Sequence, residues 1–86
     1  MKDRIFHALQ IPADMAKGVA LMEISGHQEV RIENFKGLCS YDPMLVRVLA
    51  SGYMIIVEGN NMQISYYSDV IMKITGEIDS IHFERR

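Results

Sequence analysis

From Gly18 to the C-terminus the chain never runs far without a turn-forming residue. Breaks fall at Gly26-His27, Phe35-Lys36, Asp42-Pro43, Ser51-Gly52, Gly59-Asn60-Asn61, Ser68-Asp69 and Gly76-Glu77. Between them stand short runs rich in β-branched and aromatic residues, the composition of strands rather than helices. This spacing excludes most architectures. A parallel pair of strands needs a crossover of about a dozen residues or more, so neighbouring runs are expected to pair antiparallel. The pattern predicts a mainly β domain over 19–86. It is a meander of about eight short strands near 19–25, 29–34, 37–41, 45–50, 53–58, 62–67, 70–75 and 78–83. A small barrel or sandwich is the expected architecture, with a short β-roll as the alternative.

Side-chain alternation assigns faces. Val30 and Ile32 fall on one side of their run and Arg31 and Glu33 on the other, and Val70, Met72 and Ile74 oppose Lys73. The run at 53–58 breaks the rule, because Met54, Ile55, Ile56 and Val57 are all apolar. A strand of that kind is expected to be buried on both faces. Three stretches echo one another, VRIENFKGL, IIVEGNNMQI and MKITGEIDSI, each an apolar strand, a polar turn with glycine and a second apolar strand. Their spacing is too uneven for a solenoid and suggests similar hairpin-like units. Asn34, Gly37, Gly59, Asn60 and Gly76 are read as structural turn residues, with Gly59 expected in a backbone conformation costly for other residues.

The segment ahead of the strands, 1–18, reads as helical. Ile5, Phe6 and Leu9 share one face, Pro12 suits the first turn of a second short helix, and Gly18 is a natural stop. That apolar face either covers one end of the β domain or contacts a membrane or partner, so Ile5, Phe6 and Leu9 are candidate interaction residues. The same segment lacks the unbroken apolar region of a signal peptide, being interrupted by His7, Gln10, Pro12 and Asp14. No apolar run approaches the roughly 20 residues that span a bilayer. A cytoplasmic protein, at most peripheral to a membrane, is expected.

Composition narrows the function classes. Nine Lys and Arg against eleven Asp and Glu give a net charge of −2, which offers no general attraction to nucleic acid. A chain of 86 residues that is 49% hydrophobic carries much apolar side chain for one small core. Self-association or a partner would account for the excess, and so would a well-filled core. The single Cys39 forms no internal disulfide and is expected as a small buried core residue. His7, His27 and His82 are scattered, and no Cys-x-x-Cys, glycine-rich phosphate loop or Gly-x-Ser-x-Gly elbow occurs. No metal, cofactor or catalytic constellation is expected, and therefore no enzyme.

LQIPADMAKG near the start, VRIENFKGLCSYDP in the middle, MIIVEGNNMQI and the closing ITGEIDSIHF together resemble the YabP/YqfC family of sporulation proteins. The length and the order of helix then strands resemble the YqfC branch in particular. The most specific pieces are Ile32-Glu33-Asn34 leading to Gly37-Leu38, then Glu58-Gly59, then Gly76 with Ile78. The resemblance implies a protein of bacterial endospore formation without catalytic activity, one that accompanies a membrane-associated sporulation protein. It supplies no catalytic residues. The function expected is an interaction or structural component of sporulation, with a small-ligand-binding β-barrel as the alternative.

Overall fold

The computed structural model describes residues 19–85. The expected N-terminal helix, with Ile5, Phe6 and Leu9, lies outside the described residues.

Six strands form one antiparallel sheet: β1 (Leu21–Ser25), β2 (Glu29–Glu33), β3 (Gly37–Asp42), β4 (Leu45–Ala50), β5 (Tyr53–Tyr67) and β6 (Ile71–Arg85). Their order across the sheet is β1-β2-β6-β5-β4-β3. The antiparallel prediction therefore holds, and three parts of the expectation change. The sheet is open, with β1 and β3 at its edges, and is not a closed barrel. It is not a simple meander, because β6 returns to pair with β2. The eight expected strands are six, because two of the expected breaks lie inside strands. Gly59-Asn60-Asn61 is part of the 15-residue β5, and Gly76-Glu77 is part of the 15-residue β6.

These two long strands make one hairpin that changes partners along its length. Tyr53 to Asn60 of β5 lie opposite Glu77 to Arg85 of β6, while Gln63 to Tyr67 lie opposite Met72 to Thr75. The first half of β5 also pairs with β4, and the first half of β6 with β2. A straight strand of this length would reach about 46 Å at 3.3 Å per residue. The molecule's longest dimension is only 36 Å, so the hairpin bends. The register shifts at Glu58/Gly59, Asn60/Gln63 and Ile64/Tyr66 mark the bend, since each bulge kinks and further twists its strand.

Close packing at the bend explains its glycines. A Cβ on Gly59 would overlap the carbonyl oxygen of Glu77, and one on Gly76 would lie 2.7 Å from the Asn61 carbonyl oxygen and the Met62 Cα. Each glycine thus makes room for the backbone that follows the other. Gly76 also has φ +145°, and Asn61 has φ 54°. Gly59 itself has no positive φ, so its expected turn conformation is corrected: close backbone approach, and not dihedral strain, excludes a side chain there.

The fold is internally duplicated. The β1-β2 hairpin sits against β6 as the β3-β4 hairpin sits against β5. The Gly76 N–H donates to the Gln28 carbonyl and the Ile78 N–H to that of His27, while the Gly59 N–H donates to Met44 and the Met62 N–H to Pro43. Buried residues correspond in the same way. Val30 and Ile32 of β2 match Val46 and Val48 of β4, and Met72 and Ile74 of β6 match Ile55 and Val57 of β5. Two of the three sequence echoes, those around Val57 and Ile74, reflect this duplication. The third, around Ile32, spans the connection from β2 to β3.

All eight of those residues, with Phe35, Ala50, Met62 and Ile78, belong to one apolar cluster. Each large apolar side chain fully withdrawn from water contributes roughly 1.5–3 kcal/mol, before the cost of ordering the chain. Ile56 is buried too, at 4% exposure, but on the opposite face of β5, across from Arg47 and His82. The unbroken apolar run 54–57 is accordingly covered on both sides.

Candidate interaction surface

Where the sequence-predicted residues fall decides what kind of site the molecule carries. Asn34 follows the last residue of β2 with φ 64°, its N–H donating to the Val70 carbonyl and its side-chain amide to that of Val19 at 3.3 Å. Gly37 opens β3, and a Cβ there would meet nothing within 4 Å. Asn60 is exposed in β5, its amide 3.5 Å from an Asp79 carboxylate oxygen. Gly59 and Gly76 meet at the bend of the long hairpin. Gly59 and Asn60 border one open surface concavity with Met44, Leu45, Glu58 and Asp79.

Cys39 is corrected. It is exposed, at the register shift between Leu38 and Ser40 on the edge strand β3. Period-two alternation would have put it inside or outside according to its neighbours, but a bulge interrupts that count.

Among the described residues no polar or charged side chain is buried. No three His, Cys, Asp or Glu among them are grouped as metal ligands. Ionic groups instead lie on the outer faces. Arg31 of β2 bridges Glu33 at 2.6 Å and Glu23 at 3.6 Å, Lys73 approaches Glu29 at 3.8 Å, and Arg47 approaches Glu84 at 3.9 Å. All are partly exposed and each contributes little, about 0–1 kcal/mol. One shallow surface groove, of about 420 Å³, is lined by Gly52, Tyr53, Phe83 and Arg85. Its Tyr53 and Phe83 rings meet edge to face at 5.6 Å, an arrangement that fills space between strand ends.

Among the described residues, the sheet ends at two edges that no further strand pairs with, β1 and β3. An edge strand presents unpaired N–H and C=O groups, ready for another strand. Exposed apolar side chains stand at both: Val19, Leu21 and Ile24, each between 42% and 53% exposed, on or next to β1, and Tyr41 and Met44 on or next to β3. Sequence reasoning singled out Ile5, Phe6 and Leu9 and did not reach these residues. The signal that could have found those at β1 is the run VALMEIS, an apolar strand without lysine, arginine or proline.

No curated protein and no solved structure matches the chain. A family model described as the YabP family matches residues 17–86, which covers every strand of the sheet and both of its open edges. The chain belongs to the YabP family.

Proposed function

We propose that this protein is a non-enzymatic component of bacterial endospore formation that acts by binding other proteins through its sheet. Family membership supports the sporulation role, as the resemblance in the sequence had implied. The observation that carries the interaction role is the open β1 edge with half-exposed Val19, Leu21 and Ile24 beside it. Edges of this kind capture extended strands through main-chain hydrogen bonds, with alternate side chains providing selectivity. The partners are a second copy of the chain and a membrane-associated sporulation protein. The site of action is the cytoplasmic side of a membrane in the sporulating cell. Among the described residues no helix is long and apolar enough to cross a membrane.

The alternative, a β-barrel enclosing a small ligand, calls for an apolar interior with room in it. Side chains of Val30, Ile32, Val46, Val48, Ile55, Val57, Met62, Met72 and Ile74, all below 2% exposure, occupy the region where such a ligand would sit. That packing favours the interaction reading.

Deleting the gene and counting heat-resistant spores tests the biological role, and affinity isolation from sporulating cells tests the binding role. The expected result is a deficit of resistant spores and recovery of a membrane-associated protein. Normal spore yield, with nothing co-purifying, would refute this function.

A further inference from the structure

We propose that the open edge of β1 is a self-association surface, on which two copies of this chain pair their β1 strands antiparallel in a register centred on Met22. The proposal rests on the interaction reading above and names its contact.

The internal duplication supplies a comparison within one molecule. β1 and β3 are equivalent edge strands, built by equivalent hairpins. Proteins protect such edges with bulges, prolines and lysines. β3 carries a protection: its register shifts between Leu38 and Ser40, and exposed Cys39 stands at the shift. β1 carries none. Its register against β2 runs unbroken from Leu21 opposite Glu33 to Ser25 opposite Glu29, and it contains no proline, lysine or arginine. Its exposed apolar side chains lie on both faces. Ile24 is opposite buried Val30 on the core side and remains 53% exposed, while Leu21 is opposite Glu33 on the outer side and remains 42% exposed. A further strand along β1 would cover both.

Charge and geometry select the occupant. Directly opposed residues in an antiparallel pair share a face, so a two-fold symmetric pairing of like strands centres on a residue. Centred on Glu23, the pairing sets two carboxylates directly against each other, which is destabilising. Centred on Ile24, it places Met22 against Gly26, a turn residue at φ 57° that has left the strand. Centred on Met22, it sets Met22 against Met22, Ala20 against Ile24 and Val19 against Ser25. Leu21 then faces Glu23, and the two Glu23 carboxylates are diagonal neighbours, each beside its own Arg31 at 3.6 Å. Ala20 and Met22 already pack against the core cluster, so the apolar row on the core side continues from one copy into the next. The strand is complementary to itself in this register, and a second copy is the occupant that fits.

The test uses the full chain in a Cys39→Ser background with one new cysteine, Met22→Cys, Glu23→Cys or Ile24→Cys, oxidised under native conditions. Opposed Cα atoms about 4.5–5.5 Å apart lie within disulfide reach, whereas diagonal pairs at about 7–8 Å and more distant ones do not. Met22→Cys is expected to form covalent dimer about tenfold faster than the other two, the difference that about 1.4 kcal/mol would produce. A second measurement does not depend on those variants folding. Sedimentation of the otherwise unchanged chain should show a dimer whose Kd rises about tenfold or more in Ile24→Lys and stays unchanged in Ile24→Val. Circular dichroism should report both as folded. A protein that remains monomeric to about 0.5 mM overturns the proposal. So does a dimer indifferent to Ile24→Lys, or one cross-linked fastest at position 23 or 24. In each of these cases recovery of a partner from sporulating cells would still uphold the broader function, so the two failures are distinguishable.

Discussion

A methyl group added at Gly59 has no space, because the Glu77 carbonyl oxygen already occupies its position. Relief would require the two long strands to separate at their bend, where the hydrogen bonds to Met44 and Gln28 also lie. Gly59→Ala should therefore destabilise by about 1–3 kcal/mol through overpacking. Gly76→Ala should cost at least as much, since it adds strain at φ +145° to the same crowding. Gly37→Ala, with open space and no positive φ, should stay within about 0.5 kcal/mol. Urea unfolding of the three variants checks the ranking, and equal values would contradict this account of the bend. Cys39 offers a second check at this scale. As an exposed thiol on an edge bulge it should react with a thiol reagent in the native protein nearly as fast as in the unfolded one. Slow native reaction would restore the buried assignment read from alternation.

The strands and turns differ in how local their causes are. The β3–β4 turn is closed by its own sequence: Asp42 accepts hydrogen bonds from the N–H groups of Met44 at 2.7 Å and Leu45 at 3.0 Å. Asp42→Ala should lose about 1 kcal/mol by thermal or urea unfolding, with little effect elsewhere. The two long strands have a different cause. Nothing in the local residues Gly59-Asn60-Asn61 prevents a turn, and Asn61 does adopt φ 54°. What keeps them in β5 is the pairing on each side, with Glu58 opposite Ser80 and Gln63 opposite Thr75. At the centre of these strands, Val57→Ala and Ile74→Ala, both at fully buried and equivalent positions, should each cost about 2–4 kcal/mol. Tyr66→Ala, at 53% exposure on the outer side, should cost far less.

At the scale of the whole molecule the return of β6 to β2 is the decisive pairing. It sets Val30 opposite Ile74, with β3, β4 and β5 intervening in the chain. Loop-closure entropy must be met before that contact is gained, so folding should take place in the millisecond-to-second range of non-local β proteins. Stopped-flow refolding measures this directly, and microsecond folding would be incompatible with the topology. The same topology leaves β1 and β3 at opposite edges, and so makes the molecule open to pairing in a way that a closed barrel is not.

The sequence by itself determined the β class, the antiparallel pairing, several of the tight turns, and the inward placement of Val30 and Ile32 in β2 and of Met72 and Ile74 in β6, but not Val70, which is 53% exposed ahead of β6. These follow from period-two alternation, short connections and turn chemistry, all of which act over a few residues. It also carried the family, in short motifs whose order spans the strands. Only the tertiary structure decided that Gly59 and Gly76 lie within strands, that Cys39 stands on a bulge, and that the sheet is open and duplicated. Each of those outcomes depends on which backbone segments approach each other from distant parts of the chain. The exposed edge of β1 belongs to the same group: its residues read as an ordinary half-buried strand, and the strand order alone leaves it without a neighbour on one side.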